Sequence, residues 1–359
     1  MTHSILGSIA FALSLALLQS CASISRDPDL DSLAFKRTAL DRTAAELTAV
    51  EAKQYARWAL PFSRVASHVY CRYLSTNDPG NKILLDCQLF PELSATGWKL
   101  LYDWRSVLSG ADATTDLEFM AFGRGEPGRR GEIVIGFKGT NFSSPSDWRS
   151  NLRWFTRFLP ATGPDEYQIV HSHAEQMVDL ALANAKEKLP LVNGFDVYST
   201  GHSLGGGLAQ LLAYSDARVK GAVVFDPTPV TGYGTLVSDA QVNCNARVVR
   251  IYERGEALQY VRSVLRRFYS LSENINEVSF DLVHARGNPV ANHSMAAFRG
   301  GLEARAGVEQ GTAVLIAALP DSPDQFNALP GKPDCTCYQK RRPNDRSPEA
   351  AACAAAGNE

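Results

Sequence analysis

The chain has 359 residues, 45% of them hydrophobic and 21% charged, which is enough apolar material for one large core or two modest ones and excludes general disorder. Lys and Arg number 36 against 38 Asp and Glu, a formal charge of −2, so there is no global basic field for nucleic acid and a DNA-coating protein is excluded. The long uncharged apolar run, Ile5 to Leu18, is shorter than the roughly 20 residues of a spanning helix. A multispanning membrane protein is excluded too.

That run has the length of the apolar core of a secretory signal. It ends in Leu18, Gln19, Ser20 and Cys21, which resembles a bacterial lipobox. The resemblance implies that residues 1–20 are a lipoprotein signal peptide and that Cys21 is the lipidation site. It places the mature chain in a bacterial cell envelope, anchored to a membrane surface on the periplasmic side or at the outer membrane. Each buried acyl methylene contributes about 0.8 kcal/mol, so more than one chain anchors stably. Residues 21–30 read as a polar tether. The remaining cysteines, Cys71, Cys87, Cys244, Cys335, Cys337 and Cys353, are even in number, as a disulfide framework in an oxidising compartment requires. Cys71 and Cys87 bracket the turn signal Asn77, Asp78, Pro79 and Gly80 and are the expected pair. Cys335 and Cys337 are too closely spaced for a standard zinc ligand pair, and no metal is expected.

The main folded body runs over residues 31–319. Ser32 to Leu60 has apolar residues at spacings of three and four and reads as a helix, broken or kinked at Pro61. Trp98 to Trp104, Leu117 to Phe122 and Glu132 to Phe137 read as strands. The period then changes: Tyr167 to Leu189 is an expected helix, Phe195 to Thr200 a strand, Leu204 to Tyr214 a helix and Gly221 to Phe225 a buried strand. Arg247 to Tyr252 and Val278 to Val283 continue as strands, with helices over Ala257 to Tyr269 and Ser294 to Ala304. Alternating strands and helices argue for an α/β fold, a mostly parallel central sheet with helices on both faces. Residues 320–359 shift to Pro, Asp, Ser and Ala with Lys340, Arg341 and Arg342, and read as a loosely ordered, Cys-containing tail.

Gly201, His202, Ser203, Leu204 and Gly205 form the pattern in which a Ser sits on a sharp strand-to-helix turn. The helix N-terminus that follows stabilises negative charge beside Ser203. A nucleophilic Ser needs a base and an acid, which on such folds follow it in the order Ser, acid, His. After Ser203 the sequence offers only His284 and His293. His293 sits in a loop before a helix and is the favoured base, whereas His284 ends a strand. Asp226, Glu253 and Glu256 all end strands on the side where open parallel sheets place ligands, and all three are candidate acids.

Ile133 to Thr140, then Asp147, Trp148, Asn151 and Leu152, then Val170 and His171, then Gly201 to Gly206 together resemble the class 3 lipases, an α/β-hydrolase group. The resemblance covers about Tyr55 to Leu302. Arg250 to Leu258 is similar to the segment that carries the family's acid, with Glu256 at that position where the family usually has Asp; Asp226 remains the alternative. His293, Ser294 and Met295 match the family's late catalytic His. Thr140 falls where the family supplies one oxyanion donor, and the backbone N–H of Leu204 supplies the other. Trp154, Phe155, Phe158 and Leu159, ending at Pro160, fall where the family often has a lid, although a core-facing amphipathic helix fits the same pattern. The resemblance implies a serine carboxylic-ester hydrolase acting on acylglycerols or phospholipids, with no cofactor and no nucleic-acid partner. Two alternatives are a phospholipase A specifically and a non-catalytic envelope lipoprotein that retains the scaffold.

Overall fold

The computed structural model describes residues 34–37, 44–75, 82–85, 89–110, 112–115, 117–139, 166–232, 243–265, 274–283 and 288–308. The signal peptide, the tether, the expected lid and the tail lie outside the described residues, as do Cys21, Cys87, Thr140 and His284. In chain order the elements are β1 (Ala34–Arg37), β2 (Ala45–Leu47), α1 (Ala49–His68), β3 (Arg72–Ser75), β4 (Lys82–Leu85), α2 (Leu89–Ala95) and β5 (Lys99–Asp103). Next come β6 (Phe119–Arg124), β7 (Gly131–Phe137), α3 (Glu166–Lys188), β8 (Phe195–His202), α4 (Leu204–Ser215) and β9 (Val219–Phe225). The series closes with β10 (Arg247–Glu253), α5 (Gln259–Leu265), β11 (Ile275–Phe280), α6 (Pro289–Asn292) and α7 (Met295–Ala306).

Among the described residues nine strands form one sheet in the order β2-β1-β11-β10-β9-β8-β7-β6-β5, and β3 pairs with β4 in a separate two-stranded sheet. Strands β7 to β11 run parallel, while β6 and β5 on one side and β1 and β2 on the other add antiparallel edges. The parallel centre matches the α/β expectation. Its strands are apolar on both faces because helices cover both. On β9, Ala222 and Val224 join the core shared with α3 and α4, while Val223 and Phe225 join the core shared with α1 and α7. This is the twofold alternation of a strand serving two cores at once. No helix among the described residues is long and apolar enough to cross a membrane.

The N-terminal expectation needs correction. Instead of one helix over Ser32 to Leu60, two short strands precede the helix, and Phe35 pairs with Ser279 of β11. Helix α1 starts at Ala49 because Thr48 and Glu51 form a reciprocal cap: Glu51 accepts from the Thr48 N–H at 2.7 Å and the Glu51 N–H donates to Thr48 Oγ1 at 3.3 Å. Nor does Pro61 end it, since α1 continues to His68 with Pro61 inside. A helix-interior Pro costs about 3 kcal/mol, but every residue from Trp58 to His68 is buried. Burying Trp58, Leu60, Phe62 and Val65 at about 1.5 to 3 kcal/mol each outweighs that cost. Smaller shifts affect β11, which ends at Phe280 instead of Val283, and α5, which starts at Gln259 instead of Ala257; the rest of that expected helix, 266–269, lies outside the described residues.

Candidate active site

Because β7 to β11 are parallel, the loops at their C-terminal ends meet at one edge of the sheet, and the candidate residues that the structure describes lie there. Ser203 joins β8 to α4 with φ 56° and ψ −123°, a conformation that costs an L-residue about 1 to 3 kcal/mol and persists only where its surroundings impose it. They do so here. The Ser203 N–H donates to the Phe225 carbonyl at 3.1 Å, and the Ser203 carbonyl accepts from the Gly206 and Thr228 N–H groups at 3.0 Å each. The flanking glycines are required by close approach: a Cβ on Gly201 would lie 2.3 Å from the Gly205 carbonyl oxygen, and one on Gly205 would lie 2.2 Å from that of Phe137. Leu204 is the first residue of α4, so its N–H has no intrahelical acceptor and is free to serve an anion.

His293 caps the short helix α6, its N–H donating to the carbonyls of Pro289 and Val290 at 3.1 Å each. Its Nδ1 lies 2.7 Å from Glu256 Oε2. A carboxylate only accepts, so Nδ1 carries the proton and Nε2 is the basic nitrogen. Glu256 is almost completely buried. Burial pushes its pKa up, but the Arg262 charge, the His293 bond and the Leu258 N–H, which donates to Oε2 at 2.7 Å, bring the net shift below the usual carboxylate range. Its second oxygen, Oε1, accepts from Arg262 Nη2.

Asp226 is brought close to this pair without joining it. It follows β9 with φ 39°; its Oδ1 accepts from the Glu253 N–H at 2.8 Å and lies 3.9 Å from Arg262 Nη2. Its Oδ2 is buried and has no hydrogen-bond partner among the described residues. Burial, and then the charge of Glu256, hold its pKa well above the ordinary value. Glu253 instead binds the backbone after β11, accepting from the Leu282 and Val283 N–H groups at 3.0 to 3.2 Å. Of the three candidate acids, then, Glu256 is the one bonded to His293.

Two residues near the site escaped sequence reasoning in this role. His202, set aside because it precedes Ser203, packs its ring 4.6 Å from that of His293. Burial and then the neighbouring His293 lower its pKa well below the ordinary value. Tyr70 follows α1 and lies 69 residues from Gly139 in sequence, yet its hydroxyl accepts from the Gly139 N–H at 3.1 Å and sits 3.0 Å from His202 Nδ1. Donor atoms of His202, Asp226 and His293 all lie within 4.8 Å of one another. A cation held there would occupy the same imidazole that faces Glu256, and so would compete with proton transfer by it. Cys71 and Cys244 are both disulfide-bonded, and the expected partner of Cys71, Cys87, lies outside the described residues.

A mixed sheet with a parallel centre and a strained Ser at the turn from β8 into α4 is the α/β-hydrolase fold. Residues 134–234 match the family model for lipase (class 3), a stretch that contains Ser203 and Asp226 and stops short of Glu256 and His293. Among solved structures, lipase II from Rhizopus niveus is similar over 62% of this chain and 78% of that one, with 18% identity and a TM-score of 0.35. No curated protein matches the chain.

Proposed function

We propose that this protein is a serine carboxylic-ester hydrolase of lipase type. The observation that carries the reading is the convergence of strained Ser203 with the pair formed by His293 Nδ1 and Glu256 Oε2, 2.7 Å from each other, the His293 ring lying 4.6 Å from that of His202 next to Ser203. Ser203 Oγ attacks the ester carbonyl while His293 Nε2 takes its proton. The oxyanion is held by the Leu204 N–H and by Thr140. His293 returns the proton to the departing alcohol, leaving an acyl-Ser203. Water, deprotonated by His293, then releases the fatty acid and restores Ser203. Glu256 stabilises the imidazolium in both halves of the cycle. The match to the class 3 lipase family over residues 134–234 supports this chemistry, and acylglycerols or phospholipids are the proposed substrates, with phospholipase A activity as the narrower form.

We further propose anchoring in a bacterial envelope through a lipid on Cys21, after removal of residues 1–20. The disulfide-bonded state of Cys71 and Cys244 fits an oxidising compartment. Metabolic labelling with a clickable fatty acid tests the anchor: the wild type takes up label and Cys21→Ser does not.

The hydrolase reading is tested with a fluorophosphonate probe and p-nitrophenyl esters of short and long chains. The wild type should be labelled and turn over ester, while Ser203→Ala should do neither and His293→Ala should lose several orders of magnitude. A folded wild type that neither reacts with the probe nor turns over ester would leave the scaffold-only lipoprotein as the better account. A phospholipid panel then separates phospholipase from acylglycerol lipase.

A further inference from the structure

We propose that Arg262 is a positioning residue for the acid–base pair, its guanidinium tying Glu256, which holds His293, to the loop that holds Ser203. The proposal rests on the hydrolase reading and names a residue that the family pattern and the sequence order leave out. The connections form a continuous path. The Ser203 carbonyl accepts from the Thr228 N–H at 3.0 Å. Pro227, the residue before, offers its carbonyl to Arg262 Nη1 at 3.2 Å. Nη2 of the same guanidinium bonds Glu256 Oε1, and Glu256 Oε2 stands 2.7 Å from His293 Nδ1. One side chain therefore spans from the loop under the nucleophile to the partner of the base.

The fork suits this task because guanidinium is planar and presents donors in a fixed geometry. Its plane is held: Arg262 is 6% exposed, and its guanidinium lies over the Tyr252 ring with the central carbon 4.1 Å from the centroid. The arrangement also gives a reason for Glu at position 256. One oxygen faces the imidazole and the other faces Arg262, a division that uses the extra methylene to reach both.

Charge acts alongside geometry. The groups around Glu256 are Arg262 on α5, His293 after α6 and Asp226 after β9, with His202 against His293 and Tyr252 beneath Arg262. On its other side Arg262 shares a small cavity with Arg37, Glu253, Arg254 and Glu277. Among the described groups nearest Glu256, Arg262 supplies the permanent cation that offsets its burial. Without it Glu256 is harder to ionise, which moves the acid limb of the pH–rate profile to higher pH.

The test compares wild type, Arg262→Met and Arg262→Lys by kcat and KM on a p-nitrophenyl ester across pH, with melting temperature and fluorophosphonate labelling rate alongside. In Arg262→Met, kcat should fall about 100-fold, the size of loss that follows misplacement of a catalytic group, while KM changes little and the acid limb rises. Arg262→Lys should restore the limb but only part of kcat, because a single ammonium cannot span Glu256 and Pro227 together. Wild-type kcat and an unmoved limb in both variants would overturn the proposal, as would a drop in melting temperature alone. Should Arg262→Met fail to fold, Arg262→Lys decides, and full kcat in it counts against the proposal. An active wild type with inactive Ser203→Ala isolates the question to Arg262; a wild type that neither turns over nor labels removes the hydrolase reading and this inference together.

Discussion

The rings of His202 and His293 stand 4.6 Å apart, centroid to centroid, tilted by 45°. His202 is the residue before Ser203, the proposed nucleophile, so this contact couples the proposed base to the turn that carries Ser203. What holds His202 is the Tyr70 hydroxyl, which also accepts the Gly139 N–H beside Thr140. Replacing Tyr70 by Phe removes both bonds and leaves a buried N–H without its acceptor, at about 1 to 3 kcal/mol. If part of that appears in the transition state, kcat falls about tenfold for each 1.4 kcal/mol. Steady-state kinetics of Tyr70→Phe should show a tenfold loss in kcat with little change in KM; a full kcat would mean that the tie to Gly139 does no catalytic service.

The two carboxylates at the site predict opposite outcomes for isosteric change. Glu256→Gln keeps the shape and removes the charge that orients the imidazole, a change that costs about 10⁴-fold in a Ser-His-Asp enzyme. Asp226 is different. Its environment favours the protonated form, and its Oδ1 acceptor role toward the Glu253 N–H survives in Asn. Asp226→Asn should therefore retain kcat within a few-fold while Glu256→Gln loses three to four orders of magnitude, about what removal of an orienting acid gives. A larger loss in Asp226→Asn would transfer the acid role to Asp226.

The contrast between these residues shows what could be read from the chain. Ser203 was legible because its strand, turn, glycines and helix are contiguous, and His293 because few histidines follow Ser203. Glu256 was reached only by resemblance, since strand ends offered Asp226 and Glu253 equally; what separates them is a bond across 37 residues to His293. Arg262 and Tyr70 were illegible in this role. An Arg in an amphipathic stretch looks like any solvated residue, and its contact with Pro227 crosses 35 positions. The same limit explains the N-terminus: Ala and Leu spacing mimics a helix over Ser32 to Leu60, while the partner that makes Ala34–Arg37 a strand lies more than 200 residues away on β11.

Acid should destabilise the fold through His68. This side chain is fully buried at the end of α1, edge-on to Phe122 with ring centroids 5.2 Å apart. Burial lowers its pKa from 6.5 to about 4. The unfolded chain then binds a proton near pH 6.5 that the native state refuses until about pH 4, so the stability is complete above pH 6.5 and is lost as pH falls toward 4. At pH 5 the loss is about 2 kcal/mol. Guanidinium unfolding at pH 7.5 and 5 should show it in the wild type and less of it in His68→Gln, with His202 adding a residual of the same sign. An equal loss in His68→Gln would remove His68 from the account.

The same chemical change at two glycines should have opposite signs. Gly300 lies exposed in α7, where an added Cβ meets nothing within 4 Å among the described residues beyond its own helix backbone and chain neighbours, so Gly300→Ala adds helix propensity without a clash and should stabilise by about 1 kcal/mol. At Gly205 the added carbon meets the Phe137 carbonyl oxygen at 2.2 Å, at the end of the neighbouring strand β7. Backbone cannot rotate away as a flexible side chain would. Gly205→Ala should cost about 3 kcal/mol, the upper end of ordinary overpacking, and should push the first turn of α4 off β7. Since that turn positions both Ser203 and the Leu204 N–H, probe labelling should fall even in the fraction that stays folded. Thermal melts together with labelling rates separate the two effects, and a Gly205→Ala protein that melts and labels like the wild type would show that α4 does not abut β7 as closely as the strained elbow requires.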